Sequence, residues 1–522
     1  MNRRVAVAVW LIGLIALAVR LVDLDRRPMH ADEAVQGLKF IRLLESGEYK
    51  YDPDEYHGPT LNYLTLPVAW VRGERNRIEL TETTLRLVPV LFGSALAVFV
   101  LFVTDGLGRC ASVVAALLTA VSPALVFYSR YYIHETLLVF FTFGFIVAGW
   151  RYLRTGRVGW VVVAGIFLGL MHATKETFVI AVFAMVLAGV VVVVWERKRS
   201  WQPGEPSVWK IMCRPVHVVT MLGVAAAVSV VFYTSFFQNW RGPVDSLVTY
   251  LPWFRRAGGA SPHIHPWWFY LERWAYFKRQ SGVVWTEAPL IGLALFGLIV
   301  AARPGLLPGG DPKFMRFVAA YSLVLAVTYS VISYKTPWCM LGFYHGFVMV
   351  AAIGVAGALS ACRQTWSRAV LSVLLLAGLG QLCTQTWRAA YAQPADRRNP
   401  YVYAHTSPNL LRLVQKVESI ASVHPDPGRF AIQIMAPGGD YWPLPWYFRK
   451  FPHTGWWSEI PEDPYASVMV VSTRFNAELD EKSNKRWLMV GVFEGRPGVF
   501  FELYVELELW KRHVATLPRD DD

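Results

Sequence analysis

Two adjacent carboxylates, Asp32 and Glu33, follow a histidine in the run His30-Ala31-Asp32-Glu33. A carboxylate can act as a general base, taking the proton from a hydroxyl group while the hydroxyl oxygen attacks an electrophile. A carboxylate at the start of a helix can instead accept a hydrogen bond from a backbone N–H group and interact favourably with the helix dipole. The spacing leaves both roles open, because a capping carboxylate can still act as a base.

A second histidine, His57, opens a run that reads His-Gly-Pro-Thr-Leu-Asn-Tyr over residues 57–63, after an acidic turn at residues 52–55. Its ring can contribute a structural hydrogen bond, a catalytic group or a metal ligand. No closely spaced cluster of histidines and cysteines accompanies it, so the sequence predicts no metal site built by the protein alone. A divalent cation assisting at Asp32 is the one cofactor left open.

Five further ionisable residues stand at the ends of apolar segments. They are Arg130, Glu135, Lys175, Glu176 and Lys335. Charges close to hydrocarbon are costly unless they are paired or used, so their gathering at one face of a membrane predicts a functional site. Each of them taken singly can also be explained by an ion pair or by a side chain that extends to water.

The elements that must position these residues are predicted to be membrane helices. The chain has 522 residues, of which 54% are hydrophobic and 14% aromatic, which is too apolar for a soluble enzyme of this length. The apolar residues fall in eleven blocks, several of them long enough to cross a hydrocarbon core. The predicted spans are residues 5–22, 86–107, 110–129, 135–150, 159–173, 177–195, 216–237, 284–302, 315–333, 339–361 and 369–388.

The loops between these blocks give an orientation, because lysine and arginine concentrate in short cytoplasmic loops. Alternate loops are basic if the N-terminus is cytoplasmic, which places segments 23–85 and 238–283 and everything after about residue 390 on the outer side. We therefore predict a multi-pass protein of the cytoplasmic (inner) membrane. The basic residues of the inner loops include Arg109, Arg151, Arg154, Arg157, Lys210, Arg214, Arg303, Lys313, Arg316, Arg363 and Arg368.

The net charge of +13 is spread over many loops, which fits the inner leaflet better than a nucleic acid. The five cysteines all lie in or beside predicted spans or inner loops, so no disulfide framework is predicted.

The first outer loop, residues 23–85, is predicted to hold an amphipathic helix at the membrane interface. After the acidic pair, the residues predicted to share its apolar face are Val35, Leu38, Ile41 and Leu44. The acidic pair would then be held near the lipid headgroups.

The C-terminal segment changes character. Residues 1–390 are predicted to form the membrane domain, and residues 391–522 a small soluble α/β domain outside the cytoplasm. This domain should contain a helix at 409–422 and strands at 429–435, 467–472, 487–493 and 499–510. The aromatic, proline-rich loop 440–447 has three open roles, which are contact with the membrane, with a substrate or with the core of the domain.

These features together resemble the GT-C class of glycosyltransferases. The run at residues 57–63 is similar to the His-Pro-Pro-Leu-Tyr-Tyr run of protein O-mannosyltransferases and aminoarabinose transferases, although Gly58 replaces the first proline. Further segments resemble, more closely, the family labelled flippase activity-associated proteins. Those segments are residues 30–34, 128–135, 173–177, 334–338, 399–408 and 440–447.

The GT-C resemblance implies transfer of a sugar from a polyprenyl-phosphate carrier to a glycan, lipid or protein acceptor outside the cytoplasm. It implies that Asp32 is the general base of an inverting displacement and that Glu33 positions the acceptor or Asp32. The remaining residues, implied to bind substrate or to balance the charge of the leaving phosphate, are His30, His57, Arg130, Glu135, Lys175 and Lys335.

Two other functions stay open from the sequence. One is a non-catalytic GT-C-like accessory protein that handles or translocates a lipid-linked sugar. The other is a secondary transporter, against which stands the concentration of ionisable residues at one membrane face, because transporters place such groups near the bilayer midplane.

Overall fold

The computed structural model of the chain describes residues 2–54, 57–199, 214–258, 261–303, 306 and 309–518. Three residues used in the predictions, Glu55, Lys210 and Cys213, lie outside the described residues. The chain forms two compact units. The first, called the membrane unit, comprises Met1–Leu24, Gly47–Arg72 and Thr83–Tyr403, and the second, called the C-terminal unit, comprises Asp25–Ser46, Gly73–Glu82 and Ala404–Asp522.

The membrane unit is helical. Among the described residues, eight helices are long and apolar enough to cross a membrane, and three shorter apolar helices accompany them. Each corresponds to one of the eleven predicted segments, so the prediction of a polytopic helical membrane protein is confirmed. The eight are Arg3–Leu21, Glu82–Leu107, Glu135–Thr155, Phe178–Glu196, Pro215–Tyr233, Pro312–Val331, Pro337–Ala361 and Thr365–Ala392, and the shorter ones are Arg109–Val121, Val158–His172 and Ala288–Ala302.

Local sequence sets several of the helix ends. Proline occupies the first helical turn of the spans that begin at Pro215 and Pro312, where its missing N–H costs no hydrogen bond. The span Glu135–Thr155 ends at Gly156, whose φ of 65° is a left-handed conformation that glycine adopts without strain. Shorter helices between the spans are Thr60–Val71, Pro123–Tyr128, Gly242–Val248, Tyr250–Gly258 and Phe269–Ala275.

The C-terminal unit is built on a five-stranded sheet in the order β2-β1-β3-β5-β4. The strands are β1 Ile432–Met435, β2 Thr454–Trp457, β3 Val468–Ser472, β4 Trp487–Arg496 and β5 Val499–Glu506. Strand β1 pairs in parallel with β2 and β3, whereas β5 is antiparallel to both β3 and β4. The helix Asn409–Ala421 buries Leu410, Leu413 and Val417 in the same apolar core as residues of β1, β3 and β5.

Two details of the predicted α/β domain were wrong. The last strand ends at Glu506 instead of continuing to residue 510, and a helix, Leu507–Val514, follows it. This segment has an acidic residue in its first turn and basic residues in its last, which favours a helix through the helix dipole, and Lys511 pairs with Glu508. Strand β2 was not predicted, because Thr454–Trp457 lacks an alternating apolar pattern.

The helix predicted in the first outer loop is present as Ala31–Ser46, in the C-terminal unit. Of the four residues predicted to form the apolar face toward the membrane, Ile41 is buried within the protein, and the other apolar residues buried on this helix are Ala34, Phe40 and Leu43. The boundary of the soluble domain at residue 390 and the interfacial position of this helix stay predictions.

Candidate active site

The start of the helix Ala31–Ser46 is capped by His30. The His30 carbonyl accepts the first helical hydrogen bond, from the N–H of Ala34 at 3.0 Å. Its ring Nδ1 accepts from the N–H of Asp32 at 3.1 Å, and its own N–H donates to Glu33 Oε2 at 3.0 Å. This reciprocal pattern is a capping box with histidine in the place of serine or threonine. The helix cap is therefore His30 and Glu33 together, and Asp32 is not needed for it.

The two adjacent carboxylates have different surroundings. Glu33 is completely buried, and both of its oxygens accept from the Arg27 guanidinium at 3.1 Å. The Asp32 side chain is 54% exposed, and the His30 ring lies 3.8 Å from one of its oxygens. Glu33 is thus held by a cation and by the helix start, whereas Asp32 offers accessible oxygens that can accept a proton.

The chain that leads into this helix is fixed on both sides. The N–H of Met29 donates to the Tyr447 hydroxyl at 2.8 Å, and the Thr406 hydroxyl donates to the Met29 carbonyl at 2.6 Å. The rings of His30 and His405 meet edge to face with 5.3 Å between their centroids. Tyr447 belongs to the aromatic loop 440–447, so this loop helps to position the acidic pair.

The same loop also enters the core of the C-terminal unit. Leu444 and Trp446 are fully buried, and the Trp446 indole N–H donates to Glu82 Oε1 at 2.7 Å. Three roles were left open for this loop. The burial of these two residues favours contact with the core of the domain.

His57 lies in the membrane unit and pairs with a carboxylate that is not among the predicted site residues. Its Nδ1 is 2.8 Å from Glu176 Oε1. Burial alone would raise the pKa of Glu176, but the charge and hydrogen bond of His57, aided by Lys175, outweigh it and lower that pKa to about 2. His57 is therefore held by the Glu176 carboxylate rather than free above the membrane.

Gly58 explains the departure from the proline-containing run. Its N–H donates to the Thr174 carbonyl at 3.1 Å, a bond that proline cannot make. A Cβ at this position would lie 2.1 Å from the Ala173 carbonyl oxygen, so any side chain would force the two segments apart. The glycine lets residues 58–60 pack directly on the turn that carries Lys175 and Glu176.

Lys175 and Glu135 form a second ion pair in the membrane unit, with both side chains only 6% exposed. Burial alone would lower the pKa of the Lys175 ammonium, but the neighbouring Glu135 carboxylate outweighs burial and raises it. Glu135 and Lys175 are thus brought together, one residue away from the His57–Glu176 pair.

The other two predicted cations donate to backbone carbonyls. Arg130 donates to the carbonyls of Arg20 and Asp23 at 3.0 Å, and to that of Val22, at the end of the first span. Lys335 Nζ donates to the carbonyl of His265 at 3.1 Å and to that of Ile332. Through these hydrogen bonds Arg130 and Lys335 stabilise the backbone of neighbouring segments. Neither of them pairs with Glu135 or Glu176.

The Glu135–Lys175 pair lines an apolar cavity. The wall of this cavity also includes Thr177, Tyr329 and Trp338, and it adjoins a second cavity lined by residues such as Phe143 and Met349. The two cavities share Val139, Thr142, Tyr321 and Gly342. One charged pair thus borders an otherwise mostly apolar space among the spans.

Two charged residues with buried hydrogen bonds were not singled out in the sequence. Arg20, inside the first span, donates to Ser129 and to the carbonyls of Ala120 and Thr119. Glu287, just before a short apolar helix, is buried and accepts from the hydroxyls of Tyr344 and Tyr401. Both could have been found from the sequence, because each is a charged residue in or beside an apolar block.

In the described part of the chain, no group of three or more histidines, cysteines and acidic residues is arranged to hold a metal ion. Around Asp32, one exposed carboxylate is available, so a cation there would complete its coordination with water or substrate.

The chain resembles known proteins in part of its sequence and in nearly all of its fold. A family model of dolichyl-phosphate-mannose-protein mannosyltransferases matches residues 67–234. No curated protein matches the chain significantly.

Solved structures match more of the chain. ArnT from Cupriavidus metallidurans bound to undecaprenyl phosphate superposes with a TM-score of 0.61 and 15% identity, over 95% of this chain and 97% of that one. AglB, an oligosaccharyltransferase from Archaeoglobus fulgidus in complex with an inhibitory peptide and a dolichol-phosphate, superposes with a TM-score of 0.52 and 12% identity. The match covers 90% of this chain and 69% of that one. An oligosaccharyltransferase from the same organism, in complex with Zn and sulfate, superposes with a TM-score of 0.53 and 13% identity, over 89% of this chain and 68% of that one.

At these identities the matches establish the fold and not the reaction, and the likeness to flippase activity-associated proteins stays a prediction. The chain is an integral membrane protein with the fold of the GT-C class of polyprenyl-phosphate-dependent glycosyltransferases.

Proposed function

We propose that this protein transfers a sugar from a polyprenyl-phosphate donor to a hydroxyl-bearing acceptor outside the cytoplasm, with Asp32 as general base and inversion at the anomeric carbon. The observation that carries the proposal is the contrast at the helix start, where Glu33 is buried against Arg27 while Asp32 is 54% exposed. A general base needs accessible oxygens and a fixed backbone, and Asp32 has both.

The reaction is a single displacement. Asp32 takes the proton of the acceptor hydroxyl, the hydroxyl oxygen bonds to the anomeric carbon, and the bond from that carbon to the phosphate oxygen breaks. The electron pair leaves with the polyprenyl phosphate, whose developing charge requires preorganised cations. Within the membrane unit, Lys175, paired with Glu135 beside an apolar cavity, is the candidate for such a cation.

The proposal includes an orientation in the membrane and does not require a cofactor. The N-terminus would be cytoplasmic, the protein would lie in the cytoplasmic membrane, and the C-terminal unit would face outward, which the basic inner loops favour. A divalent cation bound at Asp32 would help to orient the acceptor. Because the protein offers few ligands there, transfer that survives chelation by EDTA is the expected result.

The test is reconstitution in liposomes with a panel of polyprenyl-phosphate sugars and membrane-extract acceptors. Wild-type protein should consume at least one donor and release polyprenyl phosphate. Asp32→Asn should not, whereas Asp25→Asn, which changes an exposed aspartate earlier in the same unit, should behave as wild type.

Normal consumption of donor by well-folded Asp32→Asn would refute the mechanism. A donor that crosses the bilayer without being consumed would instead identify the accessory role in handling lipid-linked sugars.

A further inference from the structure

We propose that the C-terminal unit binds an anionic group of the acceptor, a carboxylate or a phosphate, between Arg474 and Arg496 at the edge of its sheet. This proposal rests on the proposed transferase function only in identifying the bound anionic group as part of the acceptor. The binding site itself is defined by the described geometry of the unit.

The topology of the sheet indicates where a ligand should bind. Strand β1 is flanked by β2 on one side and β3 on the other, and all three run in parallel. The chain therefore leaves β1 toward β2 and later returns past β1 to β3. In open α/β sheets, ligands bind beyond the carboxyl ends of the strands at such a switch point.

Three loops meet at this edge. The loop 436–443 follows β1, the loop 473–478 follows β3, and the turn between β4 and β5 joins them because Ser472 at the end of β3 pairs with Phe501 near the start of β5. Three charged residues from this edge contact one another. They are Asp440 in the first loop, Arg474 in the second and Arg496, the last residue of β4 before the turn.

Asp440 holds both guanidinium groups in place. Arg474 Nη1 is 2.9 Å from Asp440 Oδ2, and Arg496 donates to Asp440 Oδ1. The carboxylate is largely buried, whereas the Arg474 side chain is 59% exposed and that of Arg496 is partly exposed. Asp440 therefore holds Arg496 by a hydrogen bond and Arg474 by an ion pair, while both arginine side chains keep contact with solvent.

The charge of the cluster selects the class of ligand. Two guanidinium groups face one carboxylate, so the three side chains carry a net charge of +1. Arginine forks match the oxygen pairs of carboxylates and phosphates, and preorganised arginines lose less freedom on binding. A neutral sugar would not balance this charge.

The loop after β1 is open at its apex. Gly438 and Gly439 have φ values of 58° and 76°, a left-handed backbone that favours glycine. No atom lies within 4 Å of the place that a Cβ of Gly438 would occupy, so the apex of the loop is open.

The same loop continues into the residues that position Asp32. The helix Leu444–Tyr447 follows it directly, and the Tyr447 hydroxyl accepts from the N–H of Met29, three residues before Asp32. An anionic group bound at this edge would therefore attach the acceptor beside the same loop that helps to position the general base.

The experiment measures binding to the detergent-solubilised full chain, without donor, by isothermal titration calorimetry. The probes are trigalacturonate for carboxylates, inorganic phosphate for phosphates and maltotriose as a neutral sugar. We expect trigalacturonate or phosphate to bind and maltotriose not to bind, and the preferred anion to identify the source of the group.

Arg474→Gln should weaken the binding of the preferred anion by about tenfold or more, as expected for the loss of a charge-assisted hydrogen bond. Arg429→Gln is the matched control, since Arg429 also pairs with one aspartate but precedes β1, at the opposite edge. It should leave affinity within about twofold of wild type.

Equal binding of maltotriose, equal losses in the two variants, or no anion binding at all would overturn the proposal. Arg496→Gln provides a second variant if Arg474→Gln does not fold. Asp32→Asn should bind the anion normally while consuming no donor, so failure of the anion site and failure of the transferase mechanism are read separately.

Discussion

In the membrane unit, Glu135 is paired with Lys175 and Glu176 is held by His57, and the two carboxylate side chains are 6% and 10% exposed. In the C-terminal unit, Glu33 is buried against Arg27 in the same way, but its neighbour Asp32 stands in contact with solvent. A carboxylate taken out of water must be paired, and a paired carboxylate is a poor base because its oxygens are already engaged. The comparison separates carboxylates that hold the fold from one that is available to react.

The largest expected effect follows from removing the exposed carboxylate. Asp32→Asn should lower the rate of transfer by about 10²–10⁴, the usual contribution of a general base, while the unfolding temperature stays near that of wild type. The measurement is donor consumption in liposomes beside thermal unfolding in detergent.

Glu33→Gln should behave in the opposite manner, because it removes the charge that Arg27 faces in a buried site. It should lower the unfolding temperature more than Asp32→Asn does. If the two variants lost stability equally, the distinction between a structural and a reactive carboxylate would be lost.

The buried pair in the membrane unit should show the next effect. Glu135→Gln leaves the Lys175 ammonium buried without its partner and should cost about 3–5 kcal/mol in the free energy of unfolding. The double variant Glu135→Leu with Lys175→Met should recover much of this stability, because it removes both charges. Recovery of stability without recovery of transfer would assign Lys175 a role in the reaction beyond folding.

The pair of His57 and Glu176 predicts a response to acid. Because the pKa of Glu176 is lowered in the folded protein from 4.5 to about 2, its ionised form stabilises the fold above pH 4.5. That stabilisation, of the order of 1–2 kcal/mol with a half-exposed histidine as partner, should be lost as the pH falls from 4.5 toward 2.

Thermal unfolding of wild type and Glu176→Gln across this range checks the response. The two curves should differ above pH 4.5 and converge in acid. A difference that stayed constant down to pH 2 would contradict the assignment to Glu176.

The smallest effect is expected at the surface of the C-terminal unit. Arg77 binds Glu45 with two side-chain nitrogens at the end of the helix Ala31–Ser46. Both side chains contact solvent, so Arg77→Gln should cost less than about 1 kcal/mol in the free energy of unfolding and leave transfer unchanged. A larger loss in either measurement would extend the class of structural carboxylates to the exposed surface of this unit.

Much of the fold followed from local sequence. Each of the eleven apolar blocks contains an apolar helix, because backbone groups in hydrocarbon must form their hydrogen bonds within one continuous segment of chain. The helix after Asp32 and most strands of the C-terminal sheet were predicted for the same local reason. Which residues this helix buries within the protein, Ala34, Phe40 and Leu43 among them, was not predicted, because burial depends on the elements that pack against the helix.

The candidate site was predicted in its residue types and only partly in its contacts. Lys175 and Glu135 do meet, whereas Arg130 and Lys335 donate to backbone carbonyls. Glu176, one residue after Lys175, turned out to be the partner of His57. A charged residue at the end of an apolar block reveals the need for a partner but not which partner is in reach.

Of the acidic pair with which the sequence analysis began, the sequence by itself determined that two carboxylates open a helix beside the first span. Only the tertiary structure decided between them, because it alone brings Arg27 to Glu33 and leaves Asp32 54% exposed. The same holds for Gly58, whose lack of a side chain matters because the Ala173 carbonyl lies against it. Apolar content acts along the chain and can be read from it, whereas exposure and pairing depend on residues that only folding brings into contact.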